Sequence, residues 1–356
     1  MKKISTIVIT SREPFNTEGN SHMHYVDELK KSHRILFVDP PKSWPCKSFR
    51  VQQKEPNVLL VPYLNVFPMF FLPRFFGRLN DWFTALRLRL LLKDTAFILW
   101  QFDPYYLSCL GLLRPSRKIY FPLDGYSRDG RDELLARKSD LLVTVNSTFI
   151  NAYYKDYSSN ILLLPHGFSQ HQLVVESDLV EKLKTQFGEF VLFTGTLTQT
   201  VDFEKLIKVA DAVAPFKLVV LGKRYANGSR IDQFLAMENV YFLGHVSYKL
   251  LSNYVAASKL CLVSYIKETG TWRNPIKITD YLAQSKPVVN TIPLNDFAEL
   301  EGKAIFTSTN TEKYVSLVKS LIREELTVDK KLVENYISQC TYDKLVSQIF
   351  EKLKAN

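Results

Sequence analysis

The sequence predicts an α/β protein built of two doubly wound, parallel-sheet domains, and three observations carry that prediction. At 356 residues the chain is about twice an ordinary domain in length. Short β-branched apolar runs alternate along it with helix-length segments, the rhythm of βαβ units. That rhythm is broken at Pro165-His166-Gly167-Phe168 and then restarts. Apolar residues make up 46% of the chain, enough for two cores and too many for a disordered protein.

Ile4 to Thr10 and Arg34 to Asp39 read as the first two strands, with a helix from about Ser21 to Lys31 between them that carries His24. The loop SREPFNTEGN leaves the C-terminal end of the first strand, where open α/β sheets bind ligands. Arg12 on that loop is a candidate for holding an anionic acceptor, and His24 a candidate acid or base. The competing readings are a surface ion pair for Arg12 and a packed ring for His24.

Residues 66–93 change the composition. Phenylalanines, Trp82 and leucines crowd around Arg74, Arg78, Arg87, Arg89 and Lys93, with Asp81 the sole acid, a net charge of +4 (five cations less one acid). Rings with interleaved cations suit contact with an anionic membrane surface. A buried helical hairpin whose arginines snorkel outward fits the same pattern. Stacking on single-stranded nucleic acid fits it too, but nothing else in the chain resembles a nucleic-acid module, so no nucleic-acid partner is expected.

Ala96 to Trp100 and Lys118 to Pro122 are the next strands, and each leads into an aspartate, Asp103 and Asp124. Asp124-Gly125 also suits a simple turn. A helix ending near Lys138 and strands at Asp140 to Val145 and Asn160 to Leu164 follow. After the break come a strand Phe190 to Thr194, a loop with Gly195 and Thr196 suited to phosphate oxygens, a helix Phe203 to Val213 capped by Asp202, and strands Lys217 to Leu221 and Asn239 to Leu243. Strands at Val288-Val289 and Ala304 to Phe306 and a last helix near Tyr342 to Lys354 close the chain.

The stretch WRNPIKITDYLAQSKPVVN, Trp272 to Asn290, concentrates the chemistry. Asn274 is a favoured N-cap and Pro275 a favoured first helical residue, so a helix should begin there and end at Lys286-Pro287. Lys277, Asp280 and Gln284 then share one face, and Ile278, Tyr281 and Leu282 another. A helix N-terminus with a lysine in its first turn suits a diphosphate, and Asp280 can accept hydrogen bonds from ribose hydroxyls.

This stretch resembles the nucleotide-sugar signature of GT-B glycosyltransferases. It departs from the commonest form: Asp280 stands for the second of two glutamates, Trp272 for the first, and Ser285 for a glycine. The closer likeness is to a subgroup that includes teichuronic-acid-type transferases and the xanthan glucuronosyltransferase. Ser147 and LLLPHGF are similar to the segment before the domain crossover of that superfamily, with His166 where asparagine is usual. The resemblance therefore implies an acceptor-binding domain 1–168, a nucleotide-sugar-binding domain 169–340, and a C-terminal helix 341–356 returning to the first domain, with hinge motion near Phe168 between two domains facing a cleft.

By the same resemblance, the backbone near His245 and Val246 meets the nucleotide base, and Tyr265 and the loop that follows line the sugar end. Asn274, Pro275, Ile276, Lys277, Asp280, Gly195 and Thr196 complete the donor site. Lys267 or Arg273 would suit an acidic sugar. Asp124 is the candidate base if the reaction inverts, by likeness to the xanthan-type relative, and orients the acceptor if it retains; Asp103 is the second choice, and Arg12, His24 and Asp103 are the acceptor-side candidates. Thr196 and Asp202 stand where retaining relatives carry an arginine and a lysine.

The expected activity is transfer of a sugar from a nucleoside diphosphate sugar, UDP before GDP, to a glycan acceptor that is lipid-linked, in cell-surface polysaccharide synthesis, with no metal and no cofactor. A catalytically silent binding partner, a sugar-nucleotide epimerase and a phosphorylase on the same fold are the alternatives. Cys46, Cys109, Cys261 and Cys340 lie far apart without metal-ligand spacing, which favours a reduced, cytoplasmic setting, peripheral on a membrane at most. No apolar run has the length to span a bilayer, and Arg12-Glu13 close the first one too soon for a secretory signal. A formal charge of +10 favours anionic partners.

Overall fold

Every residue of β1 (Thr6–Thr10) is buried, as an unbroken apolar strand covered on both faces must be. The computed structural model describes residues 6–41, 49–68, 74–93, 95–108, 112–125, 130–157, 160–225, 227–266 and 274–355, the side chains of residues 74 and 75 excepted. Contacts divide the chain into two compact units, Met1–Leu164 with Tyr342–Asn356, and Pro165–Thr341.

In the first unit β1 is followed by β2 (Arg34–Asp39), β3 (Gln52–Glu55), β4 (Val58–Pro62), β5 (Phe97–Gln101), β6 (Arg117–Tyr120), β7 (Leu141–Thr144) and β8 (Ile161–Leu163). They form one sheet in the order β3-β4-β2-β1-β5-β6-β7-β8. All pairs are parallel except β3 with β4. β3 reads QQKE and is largely exposed, so it has no apolar signal in the sequence; hairpin pairing to β4 alone makes it a strand. The strand order turns at β1, which pairs with β2 on one side and β5 on the other, so a switch-point crevice lies beyond Thr10. The C-terminal helix Tyr342–Lys354 belongs to this unit and packs on the helix Ser21–Leu29, with the rings of Tyr25 and Tyr342 5.1 Å apart.

Residues 66–93 contribute a helix, Arg74–Leu92. One face of it is core: Asn80, Asp81, Ala85, Leu88 and Leu92 are buried. Asp81 is satisfied there by Tyr63 Oη at 2.8 Å, Leu107 N at 2.8 Å and Ser108 Oγ at 3.0 Å. The aromatic run 69–73 of the expected hairpin lies outside the described residues.

The second unit holds β9 (Phe190–Thr194), β10 (Lys217–Leu221), β11 (Val240–Gly244), β12 (Leu260–Val263), β13 (Val288–Asn290) and β14 (Ile305–Thr307). The order is β11-β10-β9-β12-β13-β14 and every pair is parallel. Here the order turns at β9, so its switch point lies beyond Thr194. The loops leaving β9 and β10 touch there backbone to backbone: a Cβ on Gly222, at φ 142°, would overlap the carbonyl oxygen of Gly195, itself at φ 124°. Only glycine allows that approach.

The helix of the 272–290 stretch spans Lys277–Ala283, not the Asn274 start the sequence suggests. Pro275 and Ile276 instead make a tighter turn, with Ile278 N donating to Pro275 O at 3.1 Å and Thr279 N to Ile276 O at 2.9 Å. The helix stops as Ser285 takes φ 49° and Lys286 N returns to Tyr281 O at 3.1 Å. A left-handed conformation at this point is what a glycine would supply, and serine carries it under strain. Ser285→Gly is therefore expected to stabilise the protein by about 1 kcal/mol, raising the melting temperature by roughly 2–4 °C. A lower melting temperature in calorimetry would contradict this account of the helix end.

Candidate functional site

Lys277 is the first helical residue after the Pro275 turn, and its side chain runs back under the helix to the end of β9. It is 9% exposed, and Nζ donates to Thr194 O at 2.9 Å. The rings of Phe193 and Tyr265 lie 4.6 and 4.9 Å from the ammonium, a cation–π arrangement that helps hold a buried charge. A Cβ at Gly195 would stand 3.2 Å from the same nitrogen, so the glycine leaves room for the lysine as well as for Gly222. A full positive charge thus sits at the switch point of the second sheet.

Tyr281 braces that corner. Its hydroxyl accepts from Thr194 N at 3.1 Å and pairs with Thr194 Oγ1 at 2.7 Å, tying the helix to the strand end. Ile278, Tyr281 and Leu282 are all fully buried, the packing face their spacing predicts. The loop beyond is also bound into the sheet: Gly195 N donates to Leu221 O at 2.9 Å and Leu197 N to Lys223 O at 2.8 Å. Thr196, between them, is exposed. Asp202 caps the helix Phe203–Val213, accepting from Lys205 N at 3.1 Å and from Lys205 Nζ at 2.7 Å.

Asp280 is 7% exposed, and its Oδ1 receives Gln172 Nε2 at 2.7 Å and Tyr248 Oη at 2.9 Å. Burial pushes its carboxyl up to about 6 against those two hydrogen bonds. Gln172 also reaches Thr279 Oγ1 at 3.1 Å, while its own Oε1 accepts from Ser169 N at 2.6 Å and its carbonyl receives Gln284 Nε2. The Asp280–Gln284 face therefore meets the segment 169–173. The signal for Gln172 was present as the capping-box spacing Ser169-x-x-Gln172; nothing in the sequence marks Tyr248.

His166 is 5% exposed and its Nε2 lies 2.7 Å from Asn274 O, donating to that carbonyl in the neutral ring. It thereby fixes the turn that precedes Lys277, 108 residues away in sequence. Burial pulls its imidazole down to about 4. Of the remaining donor-site candidates, Pro275 and Ile276 form that turn, His245 is exposed, Val246 packs on the core, and Tyr265 N donates to Thr291 Oγ1 at 2.8 Å. Trp272, Arg273 and Lys267 lie outside the described residues.

In the first unit, Asp124 follows β6 and is exposed. Asp103 follows β5 and is fully buried, its Oδ1 accepting from Tyr105 N at 2.7 Å, and burial pushes its carboxyl up to about 7. Arg12 is exposed, 5.8 Å from the centre of the Tyr105 ring. His24 is buried against Tyr342, with ring centres 4.9 Å apart, the packed alternative rather than a solvent-facing acid or base. Among the described residues, no three His, Cys, Asp or Glu side chains form a metal-binding group, and no helix is long and apolar enough to cross a membrane.

Residues 188–324 match the family model described as "Glycosyl transferases group 1". No curated protein matches the chain by sequence. Among solved structures, sucrose-phosphate synthase from Thermosynechococcus elongatus is similar with a TM-score of 0.72 at 11% identity, over 99% of each chain. Anabaena HepE in complex with UDP and glucose gives 0.73 at 14% identity, over 99% of this chain and 100% of that one. The UDP-forming α,α-trehalose-phosphate synthase from Burkholderia vietnamiensis gives 0.71 at 13% identity, again over 99% and 100%. The chain has the fold of these proteins, the GT-B architecture of two Rossmann-like domains.

His166 and Asp280 titrate in opposite senses. The neutral His166 ring contributes fully above its unfolded value of 6.5, and that contribution is lost as pH falls through about 4. The protonated Asp280 carboxyl contributes fully below its unfolded value of 3.8, and that is lost as pH rises through about 6. Each effect is about 3 kcal/mol, so over this range they largely offset. Asp280→Asn should unmask a loss of about 3 kcal/mol on acidification through this range, and His166→Asn a gain of similar size. Urea unfolding across the range reads both; identical pH slopes in wild type and variants would refute the assignment.

Proposed function

We propose that the protein transfers a sugar from a UDP-sugar to a glycan acceptor, without a metal. The observation that carries this reading is the Lys277 ammonium held at the switch point of a parallel sheet, beside a helix start and two glycines that keep side chains away. Charge develops on the diphosphate as the bond to the anomeric carbon breaks and its electron pair passes to the leaving oxygen. A fixed cation and helix dipole stabilise that charge without reorganisation. The match of residues 188–324 to a glycosyltransferase model covers this corner, and solved structures of the same fold are described in complex with UDP and UDP-glucose.

The acceptor hydroxyl attacks the anomeric carbon and gives its proton to a base, the role we assign to Asp124. Its exposure at the end of β6 supports the choice, because a base must reach its substrate, whereas Asp103 is sealed. The acceptor is a lipid-linked glycan, in keeping with the likeness of the Asn274–Lys277 motif to transferases of cell-surface polysaccharides. One observation favours the catalytically silent alternative: Asp280, the signature carboxylate, is engaged by Gln172 and Tyr248.

UDP in excess over its dissociation constant is expected to raise the melting temperature by roughly 5–10 °C, and GDP, ADP, CMP and dTDP to raise it much less. Lys277→Gln should weaken the UDP effect at least about tenfold while remaining folded; Lys277→Met serves if glutamine unsettles the buried position. A fluorescence thermal-shift series decides it. No response of the folded wild type to any diphosphate would overturn the donor assignment. A UDP response without turnover of any UDP-sugar, unchanged by Asp124→Asn, would support the silent relative.

A further inference from the structure

The Arg74–Leu92 helix has a second face that the core does not use. Trp82, Leu86 and Leu90 are 45%, 39% and 71% exposed. At i, i+4 and i+8 they form one stripe of about 12 Å along the helix. Arg78, Arg89 and Lys93 are also exposed. On a helix of this pitch the five helical residues fall within an arc of roughly 120°, on the side away from the buried Asn80, Asp81, Leu88 and Leu92, and Lys93 follows directly at the helix end.

Two features make this arc unlike an ordinary solvated face. The sole acid of the helix, Asp81, is turned inward and satisfied by Tyr63, Leu107 and Ser108, so the outer arc carries cations only. The ion pairs among the described residues engage none of Arg78, Arg89 and Lys93. Large aliphatic side chains left in water beside uncompensated cations fit a partner that is anionic at its surface and apolar just below it. Nucleic acid offers phosphate but nothing for Leu86 and Leu90 to enter. A convex helix face also suits a plane better than it suits a groove.

We propose that this face docks the protein on an anionic phospholipid bilayer, with Trp82, Leu86 and Leu90 at the boundary between headgroups and acyl chains and Arg78, Arg89 and Lys93 on lipid phosphates. The surface lies in the first unit and stands independently of the donor chemistry assigned to the second. It deepens the reading of a lipid-linked acceptor by supplying the surface on which such an acceptor is met.

The test is co-sedimentation of the full chain with vesicles of phosphatidylcholine alone and of phosphatidylcholine with phosphatidylglycerol, at low and high salt. Binding should be at least about tenfold stronger to the anionic vesicles and fall with salt. Tryptophan emission should shift to the blue on binding, and Trp82→Ala should abolish most of that shift. Leu90→Asp and Arg78→Glu/Arg89→Glu should each lower vesicle binding at least about tenfold, with the melting temperature and the response to UDP unchanged because these side chains are exposed. No binding to anionic vesicles, equal binding to neutral ones, or binding indifferent to these substitutions would overturn the proposal. So would stronger binding to single-stranded oligonucleotide than to vesicles at equal phosphate, or a self-associated chain that Leu90→Asp renders monomeric. Because vesicle binding is read without nucleotide, its failure is distinct from a failure of the donor assignment.

Discussion

The ammonium of Lys277 must be accommodated 9% exposed at the end of a parallel sheet, and much of the second unit's architecture follows from that demand. A buried charge needs polar partners or it is lost. Thr194 supplies a carbonyl, Phe193 and Tyr265 supply ring faces, and Gly195 supplies space. Gly222 then has to be glycine because the Gly195 backbone has moved into the volume a side chain would fill. These residues answer the same constraint from the end of β9 and from the loops that follow β9, β10 and β12.

The short helix that carries Lys277 would be marginal alone. It is held from three directions: Tyr281 fastens it to Thr194, Gln172 and Tyr248 fasten Asp280, and His166 fastens the preceding turn through the Asn274 carbonyl. Preorganisation of this kind is what electrostatic stabilisation of a leaving diphosphate requires, because the cation must be in place before charge develops. The network is also ionisable, with His166 drawn down by burial and Asp280 pushed up.

The first unit uses the same topology for a different surface. Beside β1 the His22 ring lies 6.0 Å from Phe37 and 6.2 Å from Phe102, and Phe15 packs 5.4 Å from Phe37. Asp103 is sealed into the end of β5, while Asp124 at the end of neighbouring β6 is open to solvent. The Arg74–Leu92 helix divides its residues by the same logic of satisfaction: polar Asn80 and Asp81 go inward because backbone and hydroxyl partners await them, and apolar Trp82 and Leu90 remain outside.

The strands Arg34–Asp39, Phe190–Thr194 and Lys217–Leu221, and the helices Phe203–Val213 and Tyr342–Lys354, were legible residue for residue, because local propensity agrees there with the burial pattern, on both faces of the strands and one face of each helix. The packing of Ile278, Tyr281 and Leu282 was legible from helical spacing, and the Asp202 cap from residue type. β3 was not, since a polar edge strand has no pattern of its own and exists only through β4. The helix start at Asn274 was misread because His166, remote in sequence, takes the Asn274 carbonyl and the chain turns before it coils. Asp280 read as a free acceptor because nothing in its neighbourhood of sequence announces Gln172 or Tyr248. The amino-acid sequence by itself thus determined two wound parallel sheets and which stretch carries the cation, since periodicity and residue type are local. Only the tertiary structure decided which polar groups that stretch leaves available, because hydrogen bonds between residues a hundred positions apart depend on where the sheet brings them together.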